Sequence, residues 1–282
     1  MSTPDYTEAI AAQYIASQAA IRARLLAWLA HLWASLTAYR DADAAAFVRT
    51  VLPMVTGAQR ATATLAQAHL TRLDAARTGA PLRIPSNPPD AFTGSAVRNA
   101  DPVTVYTRPF VQVRTALSQG RSLDAAAQAG GRRLQVIAAT DVQLAKTHAS
   151  RATVSEMDGV TAYRRVLVGT ASCGLCIVAS TQRYHKGQLM DIHPGCDCEV
   201  EPIHGTEDPG QIIDAESLAG AHAAIRERFG TVNWGAREIG DELRSDGEPL
   251  LYKDVLISHE HGEIGPVIAV RGQHFTGPSD IP

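Results

Sequence analysis

Cysteine is missing from the first 172 residues of this 282-residue chain and from its last 84. All four thiols fall within CGLCIVASTQRYHKGQLMDIHPGCDC, Cys173 to Cys198. That confinement argues against a small secreted disulfide framework, in which cysteines run the length of the chain behind a signal peptide. The opening MSTPDYTEAI has no basic segment leading into an apolar core, so the expectation is a chain made in the cytosol with reduced thiols. A long apolar run is missing as well. The most apolar early stretch, Leu25 to Leu36, is interrupted by His31, flanked by Arg22 and Arg24, and too short to cross a bilayer. Neither sign of charge dominates: the formal net charge is −3, with residues 1–160 at +5 and residues 161–282 at −8. Dedicated nucleic-acid binders carry dense basic faces, so the N-terminal excess reads as a solvated helical surface.

Thiols gathered in one place, in a reducing compartment, point to a metal. Cys173 and Cys176 form a C-x-x-C knuckle, a turn that lets two thiolates grip one ion while backbone N–H groups stabilise the sulfur charge. His193, Cys196 and Cys198 follow after a loop. These are five soft or borderline ligands for a tetrahedral ion that needs four, and thiolate-rich sites select zinc over magnesium or calcium. One structural zinc is therefore expected. Because five candidates exceed four positions, one of Cys196 and Cys198 is expected to share the ion with His193. His185, between Tyr184 and Lys186, reads as a solvated loop histidine.

The first half of the chain has little that reads as strand. Ser2-Thr3-Pro4-Asp5 suits a helix start, and Tyr14, Ile21, Leu25, Trp28 and Leu32 recur at helical steps, widened by Ile15, Leu26 and Leu29. The spacing predicts an amphipathic helix of some thirty residues. Asp41 or Asp43 can cap a second, carrying Phe47, Val51 and, after a kink at Pro53, Val55, Leu65, Leu70 and Leu73, antiparallel to the first. Residues 79–109 hold six prolines and two glycines and read as an extended connector. Helical pattern returns at Phe110–Leu117 and from Leu123 to about Glu156, weakened at Gly130-Gly131. From Thr161 the period shifts toward two: Arg164–Val168 reads as a strand entering the C-x-x-C turn, and Cys198–Ile203 as one leaving the metal. A helix near Asp214–Phe229 and β-like segments at Val255–Ile257 and Val267–Val270 follow. The expected fold is α+β: a mainly α-helical N-terminal half with long amphipathic helices (1–158, a helical arm and shoulder), a small zinc-stapled α+β module (159–206) and a C-terminal extension (207–282).

This order, a long helical half and then strand, C-x-x-C, loop and H-P-x-C-x-C, resembles the MuF-like minor head proteins of tailed bacteriophages, in their actinobacteriophage form. The tract YRRVLVGTASCGLCIVASTQRYHKGQLMDIHPGCDCEVEP and the tail HGEIGPVIAVRGQHFTGP carry the likeness. The resemblance implies a minor capsid protein inside the phage head, made in the bacterial host cytoplasm. Its partners would be the portal protein and inner capsid shell and, weakly, packaged DNA. It would act in procapsid assembly, genome packaging or retention, or ejection, with neither membrane nor small-molecule substrate.

The class is sometimes labelled capsid maturation protease, so proteolysis is the first alternative. A zincin needs two histidines four apart on a helix with a glutamate base. Here His259, Glu260 and His261 place the histidines two apart before Gly262, spacing that suits a strand or turn. A serine protease elbow is missing too, and His274 before Phe275 reads as structural. The second alternative is a zinc-braced nuclease or nucleic-acid-binding module. Asp191-Ile192-His193-Pro194 suggests one superficially, but His193 is better used on zinc, and Asp197, Glu199 and Glu201 would repel phosphate. No catalytic residue is assigned.

Overall fold

The computed structural model describes residues 3–166, 183–185 and 198–205, and the C-terminal strand segments 238–243, 249–251, 256–261 and 265–270. The chain divides into two compact units, one comprising Met1–Asp158 and His261–Gly265, the other Gly159–Glu260 and Pro266–Pro282. It is α+β, with a helical N-terminal half.

In the first unit α1 (Thr3–Ala34) and α2 (Asp41–Thr78) form an antiparallel pair. Tyr14 stacks on His69 with ring centroids 4.1 Å apart, Gln18 Nε2 donates to the Thr62 carbonyl at 3.1 Å, and Trp33 meets Phe47 edge to face. The buried stripe of α1 is Ile10, Tyr14, Leu25, Leu29 and Trp33, while Leu26, Trp28 and Leu32 are only partly buried. The expected stripe centre is thus rotated by about one residue. The reason is that α1 serves two partners, α2 and a later helix, and the residues facing between them are buried most deeply.

The start of α2 is a reciprocal cap unlike the expected one. Arg40 is the N-cap residue, and Asp43, one turn in, accepts its backbone N–H at 2.9 Å. Asp43 therefore serves as the returning carboxylate of a capping box rather than the cap itself. The helix continues through Pro53, which lies on the exposed side, where water can satisfy the carbonyl one turn back. It ends where Gly79 adopts φ 70°, a left-handed conformation that favours glycine.

The proline-rich stretch is shorter as a connector than its composition suggests. It holds a 3-10 turn (Pro89–Phe92) and the short helix α3 (Ser95–Arg98), and α4 already begins at Pro102 and runs to Ser118. Pro102 occupies the first turn, where its missing N–H costs nothing, and Asp101 caps it by accepting from the amides of Val103 and Thr104 at 3.2 and 3.0 Å. The remaining extended piece is pinned to the C-terminal end of the helix that spans Leu123–Glu156. Arg83 donates to the Glu156 carbonyl and the Asp158 carboxylate, and the Glu156 carboxylate accepts from Ser86 and Asn87.

Helix α5 (Leu123–Glu156) is capped by Ser122 and runs unbroken through Gly130-Gly131. Those glycines make room for a neighbour: Trp33 lies against both, and its Nε1 donates to the Ala127 carbonyl at 2.9 Å. Around this point Trp33, Phe47 and Phe110 form an edge-to-face cluster with centroids 5.0 to 5.5 Å apart. One polar group lies deep in the unit. Arg98 pairs with Asp141, both side chains at most 5% exposed, Arg98 Nη2 donates to the Ile137 carbonyl at 2.8 Å, and Tyr106 donates to Asp141 at 2.6 Å. This network ties α3 and α4 to α5.

In the second unit, β1 (Val160–Val166), β2 (Arg183–His185) and β3 (Glu199–His204) form one antiparallel sheet in the order β2-β1-β3. Further on, β4 (Glu238–Leu243) pairs with β5 (Pro249–Leu251), and β6 (Leu256–His261) with β7 (Gly265–Val270). The expected helix near Asp214–Phe229 lies outside the described residues.

Candidate metal centre

The site is built on the β1–β3 ladder. Arg165 stands opposite Val200, Arg164 opposite Glu201 and Tyr163 opposite Pro202, with an irregularity between Val160 and Ala162. Residues two apart share a face of a strand. Tyr163 and Arg165 therefore stand with Pro202, Val200 and, two residues earlier, Cys198. The other face carries Arg164 and Glu201, an ion pair at 2.6 Å whose side chains are 12% and 13% exposed.

On the first face Tyr163 is fully buried and stacks on Tyr184, its direct partner across β1–β2, with centroids 5.2 Å apart and planes within 17°. Beside this aromatic wall Arg165 and Cys198 are each 6% exposed, and Arg165 Nη1 donates to Cys198 Sγ at 3.2 Å. The contact is the diagonal neighbour relation of an antiparallel pair. Burial pushes the Tyr184 hydroxyl above its ordinary value, opposed by Arg165 and reinforced by Cys198.

Cys198 is buried and takes part in no disulfide. Cys173, Cys176, His193 and Cys196 lie outside the described residues, so the geometry speaks for Cys198 alone. What it offers fits a metal thiolate: reduced sulfur, little solvent, and a charged N–H donor on the sulfur that offsets negative charge. The connections also fit. Residues 167–182, which contain the C-x-x-C pair, leave β1 at Val166 and enter β2 at Arg183, opposite Arg164. Cys198 enters β3 at the same end of the sheet, because Val166 pairs with Glu199. Among the described residues no three His, Cys, Asp or Glu side chains converge.

One expectation changes here. His185 is a residue of β2, paired with Ala162, rather than a loop histidine. Arg165 was not singled out from sequence, although the alternation of buried and solvent-facing positions through Arg164-Arg165 requires one arginine on each face. In the C-terminal segments His259, Glu260 and His261 all belong to strand β6. Compared with protein-family models, with curated proteins and with solved structures, the chain matches none.

Proposed function

We propose that the chain is a minor head protein of the MuF-like class, a virion component bound at the portal or inner shell, whose second unit is stapled by one structural zinc. The observation that carries this reading is the position of the Cys/His tract. In chain order Cys173 and Cys176 fall between β1 and β2, and His193, Cys196 and Cys198 between β2 and β3, of a three-stranded sheet, with Cys198 buried beside Arg165. A sheet with strands of seven, three and six residues buries little apolar area by itself, and a structural metal would supply the missing stability. The Cys/His set Cys173, Cys176, His193, Cys196 and Cys198 would furnish four ligands.

The helical unit would make the protein contacts. Its long stripes are largely consumed by α1, α2, α4 and α5 packing on one another, so docking falls to apolar side chains left outside, such as Leu82 (63% exposed) and Ile84 (90%) on the connector. The role is assembly, without catalysis. Mass spectrometry of purified virions should find the chain at low copy number, and co-expression with the cognate portal protein should give a complex through residues 1–158. Particles that lack the chain, together with normal head assembly after its deletion, would refute the reading.

A further inference from the structure

The helical unit contains a small cavity whose wall mixes apolar side chains with polar ones that the packing leaves incompletely bonded. Leu52, Val55, Thr56 and Gln59 face it from α2, at the i, i+3, i+4 and i+7 spacing of one helix face. Arg98, Tyr106 and Asp141 face it from the buried network. We propose that this cavity holds one internal water as a fixed part of the fold, hydrogen-bonded to Gln59, Thr56 and Asp141, and that the water joins α2 to the network of α3, α4 and α5.

Three observations carry the assignment. The first is Gln59, which is 1% exposed. The Gly94 amide donates to its Oε1 at 2.9 Å, and because a backbone N–H can only donate, this fixes which end of the side chain is oxygen. Its Nε2 is then a buried donor for which the described residues provide no acceptor. Such a group is costly to leave unbonded, and a water within reach restores the bond. The second observation is Thr56. Four other threonines of α2, Thr50, Thr64, Thr71 and Thr78, return their hydroxyls to the carbonyl four residues back. The Thr56 hydroxyl makes no hydrogen bond among the described residues, although Thr56 stands one turn from Gln59 on the cavity wall. The third is size. The cavity measures about 10 Å³, at the lower edge of the roughly 10–15 Å³ that one water needs, which excludes an organic ligand or a hydrated ion.

The chemistry of the wall sets the orientation. Asp141 accepts from Arg98 and Tyr106, but a carboxylate offers about four lone-pair positions, so it can take a further bond. The water accepts from Gln59 Nε2, donates to Asp141 and completes its set with the Thr56 hydroxyl. Three partners are typical of a buried water. Gln59 then holds the start of α3 directly, through Gly94, and the buried ion pair through the water.

The test uses the full chain. Crystals that diffract well enough to show ordered solvent should contain one oxygen peak within hydrogen-bond distance of Gln59 Nε2 and of Asp141. In solution, the Gln59 side-chain amide should show a nuclear Overhauser effect to a long-lived water. Thr56→Val gives a test of sign, because valine has the shape of threonine and nearly its helix propensity. With a water in place, Thr56→Val should lower the urea midpoint of the helical unit and weaken the Overhauser effect, whereas Thr56→Ser should retain both. In a dry cavity the same change deletes an unpartnered hydroxyl, and the midpoint would hold or rise. No solvent peak and no Overhauser effect, or a peak with the short coordination distances of a metal ion, would overturn the proposal. A midpoint and Overhauser effect unchanged in Thr56→Val would remove Thr56 from the site.

Discussion

Gly130→Ala should destabilise the helical unit, although the same change in an exposed helix stabilises it. A methyl group at Gly130 would lie 2.6 Å from Val113 Cγ2, 2.7 Å from Trp33 Cζ2 and 2.8 Å from the Pro109 carbonyl oxygen. Pro109 is backbone inside α4 and cannot swing away, and the Trp33 indole is tethered by its hydrogen bond to Ala127 and wedged between Phe47 and Phe110. Replacing glycine by alanine within a helix gains about 1 kcal/mol, while forcing a methyl into a filled core costs about 1–3 kcal/mol. With backbone among the obstacles the cost should lie in the upper part of that range, a net loss of about 1–2 kcal/mol. At about 2–4 °C per kcal/mol for a unit of this size, the helical transition should drop by several degrees. Gly57→Ala is the internal control, since nothing lies within 4 Å of its added methyl, and it should gain roughly 0.5–1 kcal/mol. Urea melts followed by far-UV circular dichroism decide both. Pairing Gly130→Ala with Val113→Ala removes the nearest obstacle, so the double mutant should be more stable than the summed single changes imply. If Gly130→Ala proves as stable as wild type while Gly57→Ala gains, the seat described for Trp33 is wrong.

Arg98→Met should cost the helical unit about 3–5 kcal/mol by leaving Asp141 buried without its cation, and Tyr106→Phe about 1.5–3 kcal/mol through a lost hydrogen bond to that carboxylate, both by the same urea melts. Glu156 is held below its ordinary carboxylate value chiefly by the Ser86 hydroxyl, then the Ser86 amide, Asn87 and Arg83. Because the folded-state value is depressed, this stabilisation is complete above the unfolded-state value and disappears as pH falls through the folded one. Hydrogen exchange over residues 83–88 should accelerate in that acid window, and Glu156→Gln should flatten the response; equal pH dependence in both proteins would refute it. Chelation should expose residues 169–205 to protease and reduce strand signal while the helical signal stays. Glu260→Gln should leave processing of the major capsid precursor unchanged on a gel, and its loss with the protein folded would favour proteolysis.

The helices were legible because their signals are local. Leu123–Glu156 has the expected bounds, since Ser122 caps one end and the apolar period persists to the other. Two features misled for physical reasons. Gly130-Gly131 look like weak helix, because propensity registers the missing side chains and not the Trp33 ring that needs their space. The proline count of 79–109 suggests extended chain throughout. Yet Pro102 sits in the first turn of α4, and Pro109 lies within the same helix, packed in the core, where tertiary burial outweighs its local penalty. The Arg98–Asp141–Tyr106 network had no sequence signature, because its members lie 35 and 43 residues apart along the chain from Asp141 and meet only once α3, α4 and α5 pack.

The sheet is where local reading meets its limit. Alternation requires that Arg164 and Arg165 face opposite sides, but either could be the buried one, and a one-residue slip exchanges them. The choice is fixed by a residue that looks ordinary in sequence. Tyr163 has Tyr184 across one edge and Pro202 across the other, and its complete burial commits that face of β1 to the interior. Arg165 shares the parity of Tyr163 and is carried inward with it, whereas Arg164 is left to Glu201 on the other side. On β3 the same parity selects Cys198 with Val200 and Pro202. The pairing of a buried guanidinium with one particular sulfur is therefore a consequence of how a tyrosine packs. A change at Tyr163 that shifts the register should disturb the thiol chemistry of Cys198 without touching either partner.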